Sequence, residues 1–298
     1  MSGGQPLLEP AELTGLFNEN GIIDAKAVSA FQKQIYSRYH STPRPMPWRT
    51  TRNPYHILTA EVMLQQTQVE RVKIKYAEFL AAFPTLTDLA SAPLADVLRI
   101  WQGLGYNRRA IALKRCAEEI ISRYSGQFPR TTEELESLPG IGPYTASAVA
   151  AFAFGIAKPL IETNIRTVFI HFYFHGRDKV SDREIMPLVA ATLDRHNPRE
   201  WYYALMDFGV SLKQLHPNPG RRSSHHVQQS RFEGSNRQLR SRLLRAVIAD
   251  PGTSAGELAD QLEAEQRDVE RNLADMVREG FLYQVNRRYM VCDGSEKG

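Results

Sequence analysis

From Asp24 to Leu215 the apolar residues of this chain recur at helical spacing, in short segments that Gly and Pro interrupt. No alternating run that would suit a strand occurs before Phe281. Val28, Phe31, Ile35 and Tyr39 share one helical face of DAKAVSAFQKQIYSRY, and a proline-stiffened loop, HSTPRPMPWR, follows. PYHILTAEVMLQQTQ, ERVKIKYAEFLAAF and NRRAIALKRCAEEIISRY continue the pattern, as does LTDLASAPLADVLRIWQG with its Pro-marked break. TTEELESL, SDREIMPLVAATLDRHN and PREWYYALMDFGVSLKQL complete it. These periods confine the body of the chain to an all-α fold.

The polar, Pro/Gly/Ser-rich stretch HPNPGRRSSHHVQQSRFEGSN reads as a linker. A second pattern starts at Arg237. RQLRSRLLRAVIAD, SAGELADQL (with Ser254 as N-cap) and EQRDVERNLADMVREG predict three helices, closed by Gly280. FLYQVNRRYMV then supplies two short strands around Asn286. Three helices and a β-ribbon predict a winged helix, a module that docks on DNA or on proteins. The expected organisation is an N-terminal extension over 1–25, a helical domain over 26–215, a basic linker over 216–236, the winged helix over 237–292 and a tail over 293–298.

A chain of 298 residues buries a substantial core, and no apolar run is long enough to span a bilayer. The first residues lack the basic-then-apolar layout of a secretory signal, so a cytoplasmic, nucleoid-associated protein is expected, acting as a monomer and away from membranes. Cys116 and Cys292 are the only cysteines, too few for a disulfide framework or a thiolate-held metal centre. His216, His225 and His226 lie in a polar loop with no cysteine or acid cluster nearby, and no metal site is expected there. Net charge is +4, and between Lys213 and Arg245 eight basic residues face one acid, Glu233. On charge alone that run fits a solvated linker as well as it fits a nucleic-acid contact.

LPGIGPYTAS, from Leu138 to Ser147, narrows the choice. Gly140 and Gly142 can take positive φ and let the backbone approach a ligand, and Pro143 suits the first position of the helix that follows. Amides at a helix mouth hold phosphate well. A lone G-x-G is usually only a turn. A helix, LPGIG and a second helix resemble the helix-hairpin-helix that grips DNA backbone.

Taken in order, PMPWR, PYHILTAEVMLQQTQVERV, FPTLTDLASAPLADVLRIWQGLGYNRRA, LPGIGPYTASAVAAFAFG and MDFGV resemble the helix-hairpin-helix DNA glycosylase superfamily, and within it the MutY-type adenine glycosylases. The resemblance covers about residues 26–215 and implies a two-lobed, all-α glycosylase fold, here with the winged helix appended. Its partner would be double-stranded DNA carrying a mismatch or lesion.

Cleaving an N-glycosidic bond puts positive charge on the sugar and negative charge on the base, and the base must first leave the stack. Glu61 lies in the otherwise apolar ILTAEVML, an expensive place for a carboxylate unless it is paired or used. By resemblance it is the acid beside the base. The family's sugar-side Asp, in a D-G-N-V run, is replaced here by Glu162 in ETNI, while Asn164 keeps its place. The extra methylene moves the carboxylate by roughly one bond length. Trp48 and Tyr144 resemble base-pocket residues. Tyr144 stands where endonuclease III relatives carry a Schiff-base lysine, which implies base removal without strand cleavage. Gln65, Gln66 and Tyr106 resemble the residues that wedge into the duplex. Leu138, Gly140 and Gly142 would hold the backbone, and Arg221, Arg222, Arg237 and Arg240 would add basic contacts. Asp207 is expected to be structural.

Two departures matter. Four cysteines for a [4Fe–4S] cluster are missing after the last helix, so no cofactor is expected, and the family's 8-oxoguanine-reading domain is replaced by the winged helix. The implied activity is excision of adenine opposite guanine or 8-oxoguanine. The alternatives are thymine or uracil opposite guanine, and a non-catalytic protein that binds mismatched DNA.

Overall fold

The computed structural model describes residues 24–227 and 231–292; the expected extension (but for its last residues), part of the linker and the tail lie outside them. The described chain is predominantly helical. Its elements run α1 (Ala25–Ser41), α2 (Pro54–Leu64), α3 (Val69–Ala82), α4 (Leu86–Ser91), α5 (Leu94–Trp101), α6 (Arg108–Tyr124), α7 (Thr132–Glu136), α8 (Pro143–Phe154), α9 (Thr163–Tyr173), α10 (Asp182–Thr192) and α11 (Pro198–Leu215). After these come α12 (Asn236–Ala249), β1 (Thr253–Ser254), α13 (Ala255–Leu262), α14 (Gln266–Arg278), β2 (Leu282–Val285) and β3 (Arg288–Val291). Short 3-10 turns occupy Pro47–Arg49 and Pro219–Arg222. No helix among the described residues is long and apolar enough to cross a membrane.

The chain divides into two compact units. One comprises residues up to Ile57, Arg130–Glu136 and Ile141–Gln228. Its core is aromatic: the ring of Phe31 lies 5.6–5.9 Å from those of Phe169, Phe172, Tyr173 and Trp201. Of the four residues placed on the face of α1, Phe31 and Ile35 are fully buried and anchor the helix to this cluster. Gly209 sets the packing of α11 on α9, because a Cβ there would fall 2.3 Å from the carbonyl oxygen of Asn164.

The segment 216–227, expected as linker, is folded into this unit. Arg222 donates to the carbonyls of Phe174 and Ile170 at 2.8 and 3.3 Å, closing the end of α9. Gly220 sits so close to α9 that a Cβ would lie 2.7 Å from Thr167 Oγ1, and the main chain of Ser223 bridges to Val180. Nonlocal packing, which leaves no mark on composition, overrides the polar look of the stretch.

The second unit comprises Leu58–Pro129, Ser137–Gly140 and the C-terminal residues from Gln229. Helices α3 to α6 bury Phe79, Val97, Trp101 and Ile111 in its core. The C-terminal part is winged-helix-like: α12, α13 and α14 with an antiparallel three-stranded sheet in the order β1-β3-β2. Ser254 caps α13 as expected, in a capping box with Glu257. The β2–β3 hairpin turns through Asn286 and Arg287 at φ 51° and 62°, the left-handed pair that a tight two-residue hairpin needs. The two-residue strand β1 was not foreseen; it is too short to show an alternating pattern.

Candidate functional site

In the second unit, Glu61 lies two-thirds of the way along α2 and is 6% exposed, between buried Ala60 and Val62. Helix α2 runs out into Gln65 and Gln66, with Gln66 at φ 54°. The loop between α5 and α6 carries Tyr106, 42% exposed and at φ 47°. Non-glycine residues rarely hold this backbone region, and when held by their surroundings they concentrate at functional positions. Two of the three residues read as duplex wedges thus stand on left-handed backbone.

Arg109 holds both loops. Its guanidinium donates to the carbonyls of Val62, Met63 and Gln65 at 2.8, 3.0 and 2.6 Å, and to those of Leu104 and Gly105 at 3.2 and 3.1 Å. It also reaches Thr67 Oγ1 and lies over the rings of Trp101 and Tyr106. Burial pulls its pKa down to about 10, so it remains charged at neutral pH. One cation therefore ties the end of the Glu61 helix to the Tyr106 loop. Sequence reasoning missed it; the only signal was its place inside GLGYNRRA.

The hairpin between α7 and α8 has Leu138 and Ile141 buried, so Leu138 offers a ligand its backbone alone. Gly140 takes φ 74°, and a Cβ there would lie 2.5 Å from that of Ala112 on α6. Gly142 does not use that freedom: it is extended, at φ −94° and ψ 175°, as the N-cap of α8 and not part of the turn. Pro143 is the first residue of α8, and Tyr144, partly exposed, the second.

Arg237 donates to the Tyr106 hydroxyl at 3.1 Å. Glu279, just past α14, pairs with Arg108 and Arg240, both at 2.6 Å, and the Arg108 hydrogen bond chiefly holds its carboxyl below the ordinary range. The winged-helix-like part is thus tied to the start of α6 within this unit.

In the first unit, Glu162 is the N-cap of α9. Its carboxylate accepts from the main-chain N–H of Asn164 and Ile165 at 2.7 and 2.8 Å and from the Asn164 side-chain amide at 3.1 Å. Asp is a far commoner cap than Glu. Here the longer side chain still seats its charge on the helix mouth, where the helix dipole favours it. Enclosure by protein raises the carboxyl's pKa, and the two main-chain N–H groups, Lys213 and Arg166 oppose that rise. Trp48 is buried in the 3-10 turn of PMPWR. That turn is held by Asp207 of MDFGV, whose carboxylate receives Arg49 at 2.7 and 2.9 Å and Arg44 at 2.8 Å. Arg199 donates to the carbonyls of Phe152, Arg49 and Thr51. Asp207 is structural, as expected, while the roles of Arg49 and Arg199 were not read from the sequence.

Of the basic residues expected on DNA, Arg221 is exposed. Arg222 differs, because its guanidinium is taken up by the carbonyls that end α9. Arg240 is partly neutralised by Glu279.

Residues 59–190 match the family model described as HhH-GPD superfamily base excision DNA repair protein. The match covers a little under half of the chain. Glu61, Tyr106, the hairpin and Glu162 fall inside it. Adenine DNA glycosylase of Homo sapiens is 35% identical over 201 residues, covering 63% of this chain and 37% of the relative. That of Mycolicibacterium smegmatis is 38% identical over 181 residues, covering 60% and 62%. This chain therefore spans less than two thirds of these curated relatives. A solved thermostable thymine-DNA glycosylase shares the fold at a TM-score of 0.56 and 27% identity, covering 63% of this chain and 88% of that one. An endonuclease III–DNA complex, at 20% identity and TM-score 0.53, covers 63% and 86% and supports the fold alone.

The residues do not fit the [4Fe–4S] cluster that the resemblance brings to mind. A cluster takes four thiolates. The chain has two cysteines, Cys116 buried in α6 and Cys292 after β3. The segment following α11 is closed by Gly220 and Arg222 instead, and no group of three or more metal-ligating side chains occurs among the described residues.

Proposed function

We propose that this chain is a monofunctional DNA glycosylase of base excision repair, acting on double-stranded DNA with a mispaired or damaged base. The observation that carries the reading is Glu61, a buried carboxyl in an apolar helix inside the HhH-GPD match. Its protonated form would give a proton to a ring nitrogen of the extruded base. The C1′–N bond then breaks, its electron pair leaving with the base. Glu162, ionised on the mouth of α9, stabilises the positive charge left on the sugar. Water adds at C1′ and loses a proton, so free base and an abasic site are the products. Tyr144 offers no amine where bifunctional relatives hold a lysine, so the abasic strand would stay intact. Gln66 and Tyr106 would fill the space of the extruded nucleotide, and the Gly140 hairpin would hold the backbone.

Adenine opposite guanine or 8-oxoguanine is the favoured target, supported by relatives named as adenine glycosylases at 33–38% identity. Thymine or uracil opposite guanine is the second reading, supported by the thymine-DNA glycosylase likeness. Glu61→Gln is expected to lower single-turnover excision at least about 10³-fold, with duplex affinity kept within about threefold. Equal loss of binding and excision would make Glu61 a structural residue and sink the assignment.

A further inference from the structure

Lys213 belongs to no motif used so far. It lies near the end of α11, partly buried, and its Nζ donates to Asn164 Oδ1 at 2.8 Å. Asn164 in turn donates to Glu162 twice, from its main chain at 2.7 Å and from Nδ2 at 3.1 Å. An ammonium has no acceptor and a carboxylate no donor. The side-chain amide of Asn164 can therefore satisfy both neighbours in one orientation only, oxygen toward Lys213 and nitrogen toward Glu162. Turned over, it would set NH2 against the ammonium and oxygen against the carboxylate.

Helix α11 holds Asn164 at a second point. Gly209 is one turn before Lys213 on the same helical face, and its lack of a side chain lets α11 close on the Asn164 carbonyl. Burial lowers the Lys213 pKa, and the charge of Glu162 acts the other way. The other cation near Glu162, Arg166, is engaged by Asp182 at 2.6 and 2.8 Å, and His225 lies 3.8 Å from that same Asp182. Lys213 is thus the cation whose hydrogen bond reaches Asn164.

We propose that Lys213 is a positioning residue for the sugar-side carboxylate: through the Asn164 amide it fixes the orientation of Glu162. The role rests on the reading of Glu162 as the group that meets the sugar cation, and it assigns a function to a lysine outside the HhH-GPD match.

The test pairs kinetics with a readout that needs no turnover. Lys213→Met removes charge and donor while keeping the apolar stem. Single-turnover excision is expected to fall about 10–100-fold, with duplex affinity within about threefold. The acid limb of its pH–rate profile should move to higher pH, and Lys213→Arg should recover most of the rate. In a Glu162→Gln background the same change should have almost no further effect. Independently, the Glu162 carboxyl is titrated by 13C NMR of protein labelled at Glu Cδ, with Glu162→Gln for assignment. Its midpoint should rise by about one pH unit or more in Lys213→Met. If Lys213→Met does not fold, Lys213→Gln carries both measurements. An unmoved Glu162 midpoint would overturn the proposal, as would a rate loss undiminished in the Glu162→Gln background. A wild type that excises no base would instead overturn the glycosylase reading, and the titration would still decide the part played by Lys213.

Discussion

Glu162 shows how a single methylene is absorbed. Its carboxylate serves as helix cap, held by two main-chain N–H groups of α9, and is the group proposed to face the sugar. Asp is among the best N-caps, so Glu162→Asp should fold normally, with unfolding free energy within about 1 kcal/mol of wild type. Its excision rate should stay within about tenfold; loss of all activity would show that the reaction depends on the longer reach. Because enclosure raises the Glu162 pKa, its charged form appears only above the ordinary carboxylate value of about 4.3. The acid limb of excision is therefore expected above that value, read from single-turnover rates between pH 4 and 8. Arg109 supports the other loops. Arg109→Met strands several carbonyls that now receive its N–H groups, each costing about 1–3 kcal/mol if left buried and unmet. A loss of at least about 3 kcal/mol in urea unfolding is expected, and a variant as stable as wild type would mean that these loops hold without it.

Helices and their caps were the legible part of this chain. The apolar period located α1 to α6, and Ser254 marked the start of α13, where Glu257 completes its capping box. LPGIG located the hairpin, but not that Gly140 alone turns while Gly142 caps. What stayed illegible is what nonlocal backbone contact decides. The partners of Arg109, Arg199 and Arg222 are mostly main-chain carbonyls, which carry no sequence signature. The fold of 216–227 depends on Gly220 meeting Thr167 across more than fifty residues. The closest such approach is Gly209 against Asn164. Gly209→Ala should force α9 and α11 apart by enough to cost about 1–3 kcal/mol. It should also slow excision more than tenfold, because Asn164 carries a donor to Glu162. Urea unfolding and single-turnover rates measure both, and unchanged rates in a folded Gly209→Ala protein would argue against that coupling.

The whole chain carries a net charge of +4, and one acid offsets two of its cations. Glu279 neutralises part of Arg108 and Arg240 and ties the C-terminal part to α6. Its folded pKa is depressed, so its stabilising contribution is complete above the unfolded value of about 4.3 and is lost as pH falls through the lower folded value. Glu279→Gln should therefore unfold at lower urea than wild type at pH 7, with the gap closing toward pH 3. The same change frees two cations, and nonspecific duplex affinity should rise with a salt slope steeper by about one to two. The activity itself is tested most directly by single-turnover incubation with duplexes pairing A, T or U with G, 8-oxoguanine, C or T, with strand breaks read before and after alkali. Breakage at adenine opposite guanine or 8-oxoguanine, seen only after alkali, is the predicted result. Tight binding across the panel with no abasic product from any duplex would contradict a glycosylase and leave a DNA-binding protein.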